Sequence, residues 1–171
     1  MTTGQRNESS FWEFSLAFYA RPGVAPACLE LQDNDGIDVN VFFFLLFVAA
    51  RERAVTRDDV SRIDVLVKAW RESAVVPLRT LRRRLKSGIG PFSTTETDTL
   101  RSAVKRIELE AERIEQEWLE RNVPIAAFGS LAASQLAAAQ ANVAAYGEFM
   151  GGLTGAPVAA LLAAFAAHVA A

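Results

Sequence analysis

Three aspartates crowd into one short stretch, Asp33, Asp35 and Asp38, and carboxylates that close together can hold a hard cation such as magnesium. Further along, Arg79, Arg82, Arg83 and Lys86 recur at helical spacing, and arginine forks pair well with phosphate or carboxylate. Together the two groups would suit a helical enzyme or carrier that handles a magnesium-bound diphosphate. Each group also has a plainer reading. Asp33 and Asp35 beside Gly36 have the composition of a turn, Asp38 is placed to cap the helix that follows, and the basic run reads as a solvated helix face. An EF-hand does not fit: aligning Gly36 with the glycine of that loop puts Leu31 at the first ligand position and Phe42 where a bidentate Glu belongs. Nor do Asp58, Asp59 and Asp64 repeat the first acidic motif, as a site built from two such motifs would need.

Other single residues carry less. Cys28 lies in an apolar stretch with no histidine near it in sequence and reads as a packed thiol rather than a nucleophile. His168 stands in an alanine run close to the last residue. Tyr19, Trp70 and Trp118 are candidates to line a pocket, although aromatics at helical spacing usually pack in a core. Gly88 to Pro91 lacks both the spacing of a P-loop and the Lys-Ser or Lys-Thr pair that follows one. With one cysteine and one histidine in 171 residues, an intramolecular disulfide, a Cys/His zinc site and catalysis by paired imidazoles are excluded. A reducing, cytoplasmic setting fits this usage.

The elements that must position these residues read as helices throughout, because apolar residues recur at three and four and no sustained run alternates at two. Ser10 caps a first helix over about 11–20, with Phe11, Phe14 and Phe18 on one face and Trp12, Leu16 and Tyr19 covering much of the rest. Arg21-Pro22-Gly23 stops it, and Pro26 suits the first turn of a second helix to about Gln32. Asp38 opens a third, whose run from Val41 to Val48 would pass for a strand on local propensity alone. Length decides for helix. Thr56 and Asp59 resemble a capping box for a fourth, Pro77 begins a fifth that buries Leu78, Leu81 and Leu85, and 94–122 make the longest. On that last helix Leu100, Val104, Ile107, Ala111, Ile114 and Trp118 form a heptad seam, read as packing within a bundle. Pro124 restarts the chain as an alanine-rich helix to about Phe149, and glycines 151, 152 and 155 precede a last weak helix from Pro157. The expected fold is all-α, a single bundle of six to eight helices without a sheet. Residues 1–9 would be a flexible N-terminus, 10–150 the helical domain, and 151–171 a tail that docks or floats.

Composition agrees, with 51% hydrophobic and 22% charged residues, and 18 basic against 20 acidic, which describes one ordinary globular domain. Residues 51–90 hold 11 basic and 5 acidic side chains, whereas 91–122 hold 5 and 8. Such segregation reflects either complementary surfaces inside one fold or an anion-binding face. A slightly acidic protein without a nucleic-acid motif is not expected to bind nucleic acid. The polar start, Met1 to Ser10, has no secretory pattern, so export is not expected. The apolar run 39–50 holds 12 residues, short of the roughly 20 that cross a bilayer. Residues 123–171, with Glu148 as their one formal charge, leave room for contact with a membrane surface, and the heptad seam leaves room for a homodimer.

Two stretches, Phe11-Trp12-x-Phe14-Ser15-Leu16-x-Phe18-Tyr19-x-Arg21-Pro22-Gly23-Val24 and Ala27-Cys28-Leu29-x-Leu31-Gln32-Asp33-x-x-Gly36-x-Asp38-Val39-Asn40, form a specific opening. With Trp70-Arg71 and Val76-Pro77-Leu78-Arg79-x-Leu81-Arg82-Arg83-x-Leu85-Lys86, they resemble a family of short proteobacterial proteins of unknown function. The resemblance spans roughly residues 11–86 and implies a bacterial protein, but no catalytic residue. The order of an aromatic helix, a proline and an aspartate-bearing helix is also similar to the opening of squalene and phytoene synthases, for which this chain is too short. The expectation is therefore a cytoplasmic binding or adaptor protein with no cofactor. Arg79, Arg82, Arg83 and Lys86, with Arg21, Asn40 and Trp70 beside them, would meet an acidic protein surface or a small anionic ligand. The alternative is a magnesium-dependent enzyme or carrier using Asp33, Asp35 and Asp38.

Overall fold

A computed structural model describes residues 9–170. The flexible stretch expected over 1–9 lies, apart from Ser9, outside the described residues. The centre of the bundle is helix α3 (Val39–Ala49), of which every residue from Asn40 to Ala49 is buried. A helix that is apolar all round must be enclosed on all sides. The Asp38 carboxylate starts it, accepting from the backbone N–H groups of Asn40 at 2.8 Å and Val41 at 3.4 Å, so the capping expected of Asp38 is met.

Helix α1 (Phe11–Tyr19) lies against α3 and opens with a full capping box between Ser10 and Glu13. Phe11, Phe14 and Phe18 are buried. Phe11 meets Phe44 edge-on at 5.3 Å, and Phe18 meets Phe43 at 5.2 Å, a geometry aromatic pairs prefer. The opposite face is not covered as expected: Leu16 and Tyr19 stay about half exposed. Helix α2 (Val24–Asn34) follows a left-handed Gly23.

Helix α4 (Arg57–Trp70) begins at a reciprocal Thr56–Asp59 box. Pro77 stands in the first turn of a fifth helix, as expected, but no loop separates that helix from α4. The chain runs on from α4 through one wide turn, Arg71–Val75, into α5 (Val76–Leu85), with the Val76 N–H reaching the Arg71 carbonyl five residues back. A proline ring collides with the carbonyl four residues before it and donates no hydrogen bond, and a π-turn relieves the crowding without ending the helix.

Helix α6 (Thr94–Asn122) packs along α5. Its buried face is rotated from the expected seam. Val104 and Ala111 are inside, but Leu100, Ile107, Ile114 and Trp118 are exposed, and Thr97, Glu108, Glu115, Gln116 and Leu119 are buried instead. Three ionisable or amide side chains thus point into the bundle, where the apolar spacing placed leucine and isoleucine.

Beyond Asn122 the alanine-rich helix does not restart at Pro124. A short 3-10 turn (Ile125–Ala127) leads to β2 (Ser130–Leu131), which pairs antiparallel with β1 (Arg53–Ala54), so the expected absence of any sheet is corrected by one two-residue pair. Gly129 makes the approach possible: at φ +65°, a Cβ there would stand 2.2 Å from the Ala54 carbonyl oxygen. Helix α7 (Gln135–Met150) then packs on α3, and α8 (Gly155–Val169) on α2. The segment expected as a tail is docked, with Leu161 and Phe165 fully buried. Asp35 secures its start, accepting from the Thr154 backbone N–H at 2.7 Å and hydroxyl at 2.9 Å. Among the described residues, no helix is long and apolar enough to cross a membrane.

Candidate functional site

The three aspartates do not converge. Asp33 pairs with Arg83 at 2.6 Å, Asp35 holds Thr154, and Asp38 caps α3 while accepting from Arg71 at 3.0 Å. No group of three or more His, Cys, Asp or Glu among the described residues is placed to hold a metal ion, so the cation site expected of Asp33, Asp35 and Asp38 is not built. Each carboxylate is drawn instead to the nearest cation or free N–H.

The arginines of α5 turn inward. Arg79 donates to Glu108 at 3.2 Å and Glu112 at 2.8 Å, and Arg82 donates to Glu108 through Nε and, at 3.1 Å, Nη2. Glu108 is almost fully buried, and its hydrogen bonds hold the Arg82 pKa above the usual range. The basic 51–90 segment and the acidic 91–122 segment thus neutralise one another along α5 and α6. Arg84 and Lys86 remain exposed, with no ion pair among the described residues. Asn40 and Trp70 are tied into the bundle: Asn40 Oδ1 accepts from Gln116 at 2.8 Å, and Trp70 Nε1 donates to the Ala111 carbonyl at 3.0 Å. Arg21 sits beside His168 rather than with the α5 cluster, and burial followed by its charge lowers the His168 pKa.

Arg79 stands between two clefts of about 470 Å³ each. The first is a groove between α1 and α6, closed by α2, α3 and α5. Two points give its direction: the Phe11 N–H donates to Glu120 at 3.1 Å, and Tyr19 lies near enough to Glu112 to feel its charge. The start of α1 is thus beside the end of α6, the two helices run antiparallel, and Ser15, midway along, falls toward Gln116. Trp12, Leu16, Tyr19, Leu29, Phe43 and Leu109 give the groove its apolar wall. Arg82 and Lys105 stand at the far end from Gln116. The second cleft is polar, lined by Asp33, Asp38, Asp64, Arg71, Arg83 and Tyr146. Its charges are already matched, with Arg71 bonded to both Asp38 and Asp64. Burial opposes the Arg71 charge, but the two carboxylates outweigh it and raise its pKa.

The first groove holds what the second lacks. Ser15 Oγ and Gln116 Oε1, both buried among groove-lining residues, have no hydrogen-bond partner. Buried polar atoms are nearly always paired, and leaving one unpaired costs roughly 1–3 kcal/mol. Cys28 also reaches this wall, and burial pushes its thiol up to about 12, so it is a packed side chain with almost no thiolate at neutral pH. Sequence reading missed Ser15, Glu108, Glu112, Glu115 and Gln116. The offset between the basic and acidic segments was the signal for the glutamates, but charge counts do not say which carboxylates face inward.

Next to Gln116 in the chain, neither oxygen of the buried Glu115 carboxyl has a partner at hydrogen-bond distance, and the Asn40 amide near it only partly favours its charge. Burial first, and then the Asp38 charge, raise its pKa to about 9. A carboxyl near 4.5 when unfolded and near 9 when folded contributes its full stability below pH 4.5 and loses it as pH rises toward 9. Glu115→Gln is therefore expected to flatten the fall in stability between pH 5 and 9 and to raise stability at pH 8, measured by urea unfolding across that range. A wild-type stability that rises with pH there would contradict the protonated carboxyl.

A family model described as protein of unknown function, DUF2390, matches residues 10–119. The chain belongs to the DUF2390 family. No curated protein and no solved structure matches it. The DUF2390 match runs from the cap of α1 almost to the end of α6 and contains every residue that lines the groove. Helices α7 and α8, which close the other side of the core, lie outside it.

Proposed function

We propose that the protein is a non-enzymatic binding protein whose groove between α1 and α6 takes a small anionic ligand with an apolar body. The supporting observation is the pair of unpartnered buried polar atoms, Ser15 Oγ and Gln116 Oε1, in a groove walled by exposed aromatic and leucine side chains and edged by Arg79, Arg82 and Lys105. Pockets that hold small molecules have this make-up, a mostly apolar surface with a few placed polar groups. Three cations against Glu108 and Glu112 leave the groove with a positive balance. Of the two partners considered for the basic helix, a small anion fits better than an acidic protein surface, because Arg79 and Arg82 are half-buried and face the groove. A bacterial cytoplasmic setting accompanies this reading, on the resemblance over residues 11–86 and the single buried thiol.

Thermal melting with a panel of medium-chain and aryl carboxylates tests it. A ligand at 100 times its Kd adds about 2.7 kcal/mol, which for a domain of this size raises Tm by roughly 5–10 °C. Leu16→Trp, at a half-exposed position that tolerates substitution within about 0.5 kcal/mol, is expected to fill the groove and abolish the rise. No rise with any carboxylate of the panel would overturn the proposal.

A further inference from the structure

The two ends of the groove differ in chemistry, and the difference specifies more than an apolar anion. At one end the Gln116 amide donates to Asn40 Oδ1, which leaves its oxygen as a bare acceptor, with Ser15, its hydroxyl unpaired, falling toward it across the groove. Both residues are about 4% exposed, so bulk water does not reach them freely. An oxygen that can only accept is satisfied by a donor. At the other end stand Arg82 and the exposed Lys105, whose ammonium is held by no ion pair among the described residues. From Lys105 to Gln116 helix α6 rises roughly 16 Å at 1.5 Å per residue. Between them Leu109, Leu16, Tyr19 and Leu29 offer apolar surface.

Resting on the groove reading above, we infer that the ligand is polar at both ends: a hydrogen-bond donor such as a hydroxyl meets Gln116 Oε1 and Ser15, and an anionic group, separated from it by an extended apolar body, meets Lys105 and Arg82. A simple fatty anion would leave the two buried atoms as unpaired as they are without it. A ligand with its hydroxyl beside the carboxylate would reach only one end.

The test compares dodecanoate with ω-hydroxydodecanoate, both below their micellar concentrations, by isothermal titration on the full chain. The hydroxylated acid is expected to bind about tenfold or more tighter, the usual consequence of pairing a buried acceptor. Ser15→Ala, which removes an unpaired hydroxyl without disturbing a partner, is expected to narrow that preference, chiefly by weakening the hydroxylated acid. Gln116→Met is expected to abolish the preference, with circular dichroism confirming the fold. Lys105→Glu is expected to weaken both acids together. Equal affinity of the two acids for the wild type overturns the two-ended reading while the groove reading stands. Binding of neither acid, with no carboxylate of the melting panel raising Tm either, overturns both.

Discussion

Glu108→Ala is expected to lower unfolding stability by about 3–5 kcal/mol, the usual result of stripping one partner from a buried ion pair. Glu108 accepts from Arg79 and twice from Arg82, and all three side chains are largely or partly covered. The loss comes less from attraction forgone than from guanidinium groups left in a poorly hydrated place. Arg79 retains Glu112 at 2.8 Å, whereas Arg82 retains no carboxylate among the described residues. Arg82→Met combined with Glu108→Leu is therefore expected to recover most of the lost stability, since a buried pair replaced by apolar side chains is often neutral. Chemical unfolding of Glu108→Ala and of the double variant measures this directly. A loss below about 1 kcal/mol in Glu108→Ala, the scale of a surface pair, would show that α5 and α6 are not held by this contact.

Asn142→Ala is expected to cost about 4 kcal/mol, through backbone groups rather than charge. Asn142 is fully buried on α7, and its one amide serves three backbone groups. It donates to the Leu45 carbonyl at 2.9 Å and the Arg53 carbonyl at 3.0 Å, and accepts from the Val55 N–H at 2.7 Å. Alanine would strand all three groups, at roughly 1–3 kcal/mol for each that water cannot reach. Asn142→Asp keeps the size but turns a donor into an acceptor facing two carbonyls, and is expected to be at least as damaging. Thermal unfolding would show both, and a Tm within a few degrees of wild type for either would contradict the role of Asn142 as the tie between α7, α3 and the strand pair.

Much of the fold was legible because caps and apolar spacing are local signals. Ser10, Asp38 and Thr56 each open a helix with the expected bonds. The errors arose where a distant partner decides the outcome. Spacing assigned Leu100, Ile107, Ile114 and Trp118 to the inside of α6, yet the arginines of α5 draw Glu108 and Glu112 inward and turn that stripe outward. Pro77 signals a boundary, but the wide turn before it lets the helix pass. The spacing of Arg79 and Arg82 on one helix was legible, and their place at the groove was not, because Ser15 and Gln116 carry no motif and become distinctive only when α1 and α6 are set antiparallel. The aspartate cluster shows the reverse: close in sequence, the three side chains diverge because they sit on a helix end, a turn and a cap.

The wide turn at Arg71–Val75 also makes the chain's length in this region matter. One surplus residue relative to a regular helix turns α5 by about 100° against α4, and the directions of Arg79, Arg82 and Arg83 all depend on that offset. Losing a single residue between Arg71 and Val75 would leave the chemistry of α5 untouched and swing every arginine away from its carboxylate. Related sequences that keep these ion pairs should therefore tolerate exchange of residue types here far more readily than a gap. An alignment of homologues can be searched for such gaps without any knowledge of the ligand.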